Sequence, residues 1–250
     1  MGRVFIGTSG WSYRSWKGDF YPTNLSSRGF LKFYANRFDT TEINSSFYHL
    51  PRQQTYERWK AEVPNRFVFS VKASRVITHV KRLSDAKNLW DTFVYHAQVL
   101  GSHLGPILLQ FPESFRVDLP TLSRFLQQAR GSVSTGLQLR LVVEFRHLSW
   151  FTDAVYALLR RHHVALCIAD SPRHPRRNVV TADFAYLRFH GRDELFVSSY
   201  SNEALAAEAN GIRRHLHRGL DVYVYFNNDA KGHAVPNAQT LRRMIAEQNP

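Results

Sequence analysis

The sequence predicts an α/β protein, a TIM-type (β/α)8 barrel. Eight short runs rich in β-branched, aromatic and aliphatic residues recur along 250 residues. Most segments between them carry helical period with capping residues at their ends, the alternation that builds a parallel sheet. Eight such units in a chain of this length match the count of a closed barrel. A doubly wound open sheet is the alternative that the same alternation allows.

The strand runs are 4–8, 40–43, 68–71, 106–109, 141–143, 165–169, 185–189 and 222–226. Several are continuously apolar, as strands buried on both faces are. Between them, 84–101 reads as a helix with Ser84 or Asp85 as N-cap, a stripe of Leu89, Phe93, Ala97 and Leu100, and Gly101 as its stop. Residues 152–163 start at Thr152 and end on Arg160 and Arg161, which suit the negative end of the helix dipole. Residues 201–219 run from Ser201 to Gly219, with Leu205, Ala209, Ile212 and Leu216 facing inward. Asp118 precedes Pro120 in another helix start, and "NAQTLRRMIAEQ" is the last helix. Weaker helices cover 28–37 and 54–62. The connection between the sixth and seventh strands, "SPRHPRRNVVTADF", has two prolines and no stripe, so its helix is expected to be irregular or missing. No linker interrupts the series, which gives one domain over 1–250.

Composition narrows the class. With 44% hydrophobic and 21% charged residues the chain can bury a core, which argues against disorder. No apolar run reaches membrane-spanning length, and no leader-like segment precedes "VFIGTSG". One cysteine, Cys167, leaves no internal disulfide, and a cytoplasmic protein is the expectation. The net charge of +13 favours anionic partners, such as nucleic acid, phosphorylated metabolites or an anionic membrane surface; an anionic small molecule or nucleic acid, and no membrane, is the expectation.

In a barrel, every strand's C-terminal end opens on one face, where active sites sit. The residues delivered there are Ser9 and Trp11, Glu42 and Asn44, Lys72, Gln110, Glu144 and Arg146, Asp170, Arg188 and His190, then Asn227, Asn228, Asp229 and Lys231. Charged side chains placed directly on apolar runs are costly unless paired or used. Glu42, Glu144, Asp170 and His190 are the candidate catalytic groups, as acids or bases or as ligands of a divalent metal. Pairing with Lys72, Arg146 and Arg188 is the structural alternative. The remaining polar groups are candidate substrate contacts, and three cations in one mouth suit a phosphate or carboxylate. No HExxH, CxxC, Walker or GxGxxG pattern is present. The aromatic loop "GWSYRSWKGDFYP" is either a stacking platform for a base or sugar or a lid that packs its own rings.

Seven blocks in order, "IGTSGWSYRSWKGDFYP", "FDTTEINSSFY", "FSVKASRVITH", "GPILLQFP", "VVEFRHLSWF", "TADFAYLRFHG" and "VYVYFNNDAKGHAVPNA", resemble the YecE-like family, a domain of unknown function. The resemblance spans about 3–245; "RDELFVSSYS", 192–201, follows the pattern less closely. It implies a TIM-type barrel. By fold likeness to metal-dependent barrel endonucleases and sugar isomerases it also suggests nucleic-acid processing, although this chain has no histidine-rich metal constellation. Three functional expectations follow. The first is an enzyme acting on a phosphate- or carboxylate-bearing small molecule. The second is a nucleic-acid-binding or metal-assisted endonuclease-like protein. The third is a non-catalytic ligand-binding barrel.

Overall fold

The computed structural model describes residues 1–129, 131 and 138–247. Eight parallel strands form one sheet: β1 (Val4–Thr8), β2 (Thr40–Ile43), β3 (Val68–Lys72), β4 (Leu104–Gln110), β5 (Leu141–Glu144), β6 (Ala165–Asp170), β7 (Phe184–Phe189) and β8 (Asp221–Phe226). Their order is β1-β8-β7-β6-β5-β4-β3-β2, and β1 meets β2 through a single bridge, Ser9 with Glu42. The sheet is therefore a nearly closed barrel, as the alternation predicted. Each strand lies within two residues of its expected start and one of its expected end.

The β1–β2 seam has its own chemistry. A Cβ on Gly7 would lie 2.1 Å from the Thr40 carbonyl oxygen, so only glycine admits the approach. In place of a regular ladder, the Thr8 N–H donates to Tyr34 Oη at 2.9 Å and Thr41 Oγ1 donates to the Thr8 carbonyl at 3.0 Å. Side chains thus satisfy backbone groups that a neighbouring strand satisfies elsewhere in the sheet.

The helices are α1 (Phe30–Ala35), α2 (Ser45–Tyr48), α3 (Gln53–Ala61), α4 (Lys87–Ala97), α5 (Leu119–Ala129), α6 (Asp153–Arg161), α7 (Asn202–His217) and α8 (Ala234–Ala246). Thr152 caps α6 by accepting from the Val155 N–H, Ser201 caps α7 through the Ala204 N–H, and Asp118 accepts from the Thr121 N–H at the start of α5. Two details of α4 differ from expectation. Ser84 and Asp85 do not cap it: Asp85 sits at φ +47° in the turn before, and Ala86 holds the cap position. Leu89 is outside the stripe because Trp90, Phe93, Val94 and Ala97 take the buried face. The larger indole gains more from burial, and its Nε1 donates to the Ala129 carbonyl. The last helix starts three residues earlier than expected, with Pro236 tolerated in its first turn; Gln248, its expected end, lies outside the described residues. No helix forms between β6 and β7, as the prolines foretold. Among the described residues no helix is long and apolar enough to cross a membrane.

The core has two parts. A large apolar cluster lies between barrel and helices, and a smaller one fills the barrel with Phe5, Leu108, Val142, Cys167, Tyr186, Tyr223 and Tyr225 among others. Buried tyrosine hydroxyls need partners. Tyr186 Oη meets Ser70 Oγ at 2.7 Å and Tyr225 Oη meets Thr40 Oγ1 at 2.6 Å. This polar-capped layer is the floor on which the mouth is built.

Candidate active site

Strand alternation decides which side chains enter the mouth. Phe184 and Tyr186 point into the barrel, so Arg188, two residues on, does too. The same parity brings in Glu42 from β2 and Glu144 from β5. Arg188 is 1% exposed and bridges both carboxylates: Nη1 donates to Glu144 Oε2 at 2.6 Å and Nη2 to Glu42 Oε1 at 2.7 Å. Ser9 Oγ and Tyr186 Oη donate to the two Glu42 oxygens at 2.8 and 2.6 Å, and Arg146 Nε donates to Glu144 Oε1 at 3.0 Å. Burial alone would raise both carboxyls, but Arg188 outweighs it. Glu42 is held below the usual range and Glu144 well below it, while the two carboxylates lift the Arg188 guanidinium in turn. Glu42 and Glu144 are therefore ionised members of a closed ion-pair chain.

Lys72, at the end of β3, has a different setting. Its Nζ lies 4.1 Å from the centroid of the Phe47 ring and makes no hydrogen bond or ion pair with any described residue. Burial, with Arg188 nearby, brings its ammonium down to about 7. It lines a cavity of about 390 Å³ together with Tyr13, His79, Gln110, Arg146 and Asn227. Arg146 binds Glu144 through Nε alone, which leaves its two terminal nitrogens without a hydrogen-bonded partner. Gln110 Nε2 donates to the Phe111 carbonyl and lies 3.4 Å from His79 Nε2. Burial, Lys72 and Arg146 bring His79 down to about 4, so it is neutral at pH 7.

The remaining sequence-predicted residues fall into place around this cavity. His190 is fully buried; Asn227 Nδ2 lies 3.1 Å from its Nδ1, and Glu144 Oε2 lies 3.9 Å from its Nε2. An amide nitrogen donates, so Nδ1 accepts and the ring proton sits on Nε2, facing Glu144. Burial first, then Arg188, brings His190 to about 4, which leaves it neutral as well. Asn44 lines the cavity wall with a buried Oδ1 that has no partner. Trp11 packs edge-to-face on Trp59. Asp229 accepts from Trp16 Nε1 at 2.6 Å, and burial lifts its carboxyl to about 6. Asn228 points away from the mouth, donating to the Ser198 carbonyl and to Asn237 Oδ1 on α8. Lys231 is exposed within the turn that the Gly232 N–H closes on the Asp229 carbonyl.

Asp170 is also outside the cavity. Ala165, Cys167 and Ala169 are the inward residues of β6, so Asp170 faces outward. There it pairs with Arg176 at 3.0 Å and Arg192 at 3.6 Å, and both arginines also reach Glu208 of α7. This cluster ties the helix-free β6–β7 connection to α7. The four groups expected as acids, bases or metal ligands are therefore not one constellation. A divalent ion between Glu42 and Glu144 would have to displace the Arg188 guanidinium, so these residues do not fit a metal as placed. Among the described residues no group of three or more His, Cys, Asp or Glu side chains is placed to hold one.

Sequence reasoning missed Tyr186, Phe47 and Phe196 as parts of the site, while Tyr13 entered only as one ring of the aromatic loop. Tyr186 was legible from period two, being two residues before Arg188. Phe47 lies on the short α2, where too few residues show a period. Phe196 belongs to the segment 192–201; it has φ +65°, packs edge-to-face on His190 and lines the cavity.

Fold and site together define a TIM-type barrel with a charged mouth at the C-terminal ends of its strands. The chain belongs to the family described as "Protein of unknown function DUF72", whose model matches residues 5–250, and this bears out the YecE-like resemblance. The UPF0759 protein YunF of Bacillus subtilis (strain 168) is 24% identical over 97% of this chain and 94% of its own length. The UPF0759 protein YecE of Escherichia coli (strain K12) is 26% identical over 77% of this chain and 75% of its own. A DUF72 family protein from Thermotoga maritima MSB8, solved as a crystal structure, is 33% identical with a TM-score of 0.86, covering 98% of this chain and 99% of that one. A glycoside hydrolase family 5 enzyme from Prevotella bryantii B14 shares the fold alone, at a TM-score of 0.53 and 10% identity.

Proposed function

We propose that the protein is an enzyme that binds an anionic small molecule in the barrel mouth, with Lys72 as its proton-exchanging contact. The observation that carries this reading is the isolation of Lys72. Glu42, Glu144, Arg188 and one edge of Arg146 are committed to each other, whereas the Lys72 ammonium faces the cavity without a carboxylate partner. The outer edge of Arg146 supplies the donor fork that a phosphate or carboxylate accepts. The buried carboxylates are too acidic to carry protons near neutrality, so that task falls to Lys72 and, on the far side of Tyr13, to Asp229. Gln110, Asn227 and His79 orient neutral parts of the ligand.

The reading is tested by titrating inorganic phosphate and citrate into the protein by calorimetry across pH. A bound anion stabilises the ammonium and raises the Lys72 pKa above 7. Binding is then tightest below pH 7 and weakens above it, by up to about tenfold per pH unit, with proton uptake in the heat. Lys72→Met removes both the affinity and its pH dependence while circular dichroism stays unchanged. Binding by Lys72→Met equal to wild type, or tightening as pH rises, would overturn the reading.

A further inference from the structure

Beside the mouth lies a larger cavity, about 630 Å³, that no part of the reading above uses. Tyr13 and Asn44 line both cavities, so a ligand held at Lys72 can continue into it. Trp11, Trp59 and Leu31 form its apolar wall. Arg28, Arg58 and Glu62 stand at its edge. We propose that this cleft is a sugar-ring subsite, and that the mouth's anionic ligand is therefore a phosphorylated or carboxylated sugar. The proposal rests on the anion-binding reading of the mouth and adds the substrate class.

Three observations point to a sugar ring. The first is the uncommitted charge. Arg28, Arg58 and Glu62 share one cleft, yet none makes a side-chain hydrogen bond or ion pair among the described residues. A guanidinium fork offers only donors and a carboxylate only acceptors. A vicinal diol presents both, and can bridge the two kinds of group at once. The second is Asn44 Oδ1, a buried acceptor without a donor. Such an atom is costly to leave unpaired, and a ligand hydroxyl reaching across from the mouth would satisfy it. The third is the shape of the aromatic wall. Trp11 and Trp59 meet at 89° with centroids 5.1 Å apart. Two rings so arranged cannot sandwich a flat base between parallel faces. They give a one-sided apolar wall, which suits the C–H face of a sugar whose hydroxyls turn to the polar edge.

The sequence explains why the cleft exists. The β1–α1 connection carries Trp11, Tyr13 and Arg28, while β2 is followed by two helices, and the second, α3, brings Arg58 and Trp59 to the opposite side with Glu62 at its end. The cleft is thus the space between two connections of adjacent strands, opening beside the β1–β2 seam.

The test compares glucose 6-phosphate, ribose 5-phosphate and glucuronate with inorganic phosphate, acetate and AMP by calorimetry on the full chain. At least one sugar anion is expected to bind about tenfold or more tighter than its bare anion, roughly the yield of one well-packed ring. The phosphate and glucuronate arms distinguish which anion the mouth takes. Trp59→Ala and Glu62→Gln are each expected to remove about fivefold or more of that advantage while leaving inorganic phosphate affinity unchanged. Glu62→Gln alters an uncommitted surface carboxylate, so it remains informative if Trp59→Ala loosens the fold. Equal affinity for sugar anions and bare anions overturns the proposal, as does an unchanged advantage in Glu62→Gln. Tighter binding of AMP than of every sugar anion overturns it in favour of a nucleotide. Loss of phosphate binding only in Lys72→Met, with the sugar advantage absent in wild type, leaves the mouth reading standing and removes this one; Glu62-dependent sugar binding that ignores Lys72→Met does the reverse.

Discussion

At the scale of single residues, Arg188 is the side chain on which the mouth depends. It is fully buried between two carboxylates, an arrangement that is stable only while both sides remain charged. Arg188→Met is expected to cost about 3–5 kcal/mol in urea unfolding, because it strands Glu42 and Glu144 in the barrel. Adding Glu42→Gln and Glu144→Gln to that variant is expected to recover much of the loss. Lys72 carries the opposite sign. Its pKa is lowered from 10.5 to about 7 in the folded protein, so the folded state holds fewer protons than the unfolded one between those values. Its burial penalty is complete below pH 7 and fades as pH rises toward 10.5. Lys72→Met is therefore expected to stabilise the protein at pH 6, by an amount of the order of a few kcal/mol, and progressively less at pH 8 and 9; equal shifts at all three pH values would contradict the assignment. The inward carboxylates and Arg188 were legible as strand-end residues. Their mutual pairing was only one of two readings, since ion pairs and free acids have the same sequence pattern. Asp170 separated from them because nothing in an apolar run such as "ALCIAD" says which parity faces inward. Arg58, Trp59 and Glu62 were illegible because they lie on a helix, away from any strand end.

At the scale of elements, the seam between β1 and β2 sets the weakest part of the sheet. Tyr34 Oη donates to the Thr40 carbonyl and accepts from Thr8. Tyr34→Phe removes that hydroxyl and leaves a buried N–H unpaired, at an expected cost of about 1–3 kcal/mol. Native-state hydrogen exchange should show the Thr8 amide losing protection more than amides in the β7–β8 ladder; uniform loss would place the damage elsewhere. Strand positions were readable because buried parallel strands are short apolar runs with sharp polar ends. Caps were readable at Thr152 and Ser201, where a β-region residue precedes a regular helix. They misled at Asp85, where positive-φ residues wind the chain through a turn that composition does not reveal. The segment 192–201 places Phe196 over His190 and beside the cavity.

At the scale of the whole molecule, the eight strands join in one sheet, and urea unfolding is expected to give one transition whether followed by far-ultraviolet circular dichroism or by tryptophan fluorescence. Two separated transitions would mean that the barrel parts before it melts. The closure was readable from the count of βα units, because strand number and chain length together leave few architectures. A net charge of +13 favours anions of every kind alike, which is why charge alone did not separate small molecules from nucleic acid. The Glu42–Arg188–Glu144 bridge has a further consequence for how the chain is put together. One acid comes from the first four strands, while the arginine and the other acid come from the last four. A first half-barrel closing on a copy of itself would face two unneutralised acids at the equivalent layer, and a second half closing on itself would lack the partner for half of each arginine's fork. Cut between α5 and β5, the two fragments should therefore recognise each other and discriminate against their own kind, so the charges that shape the mouth also act as an address label for assembly.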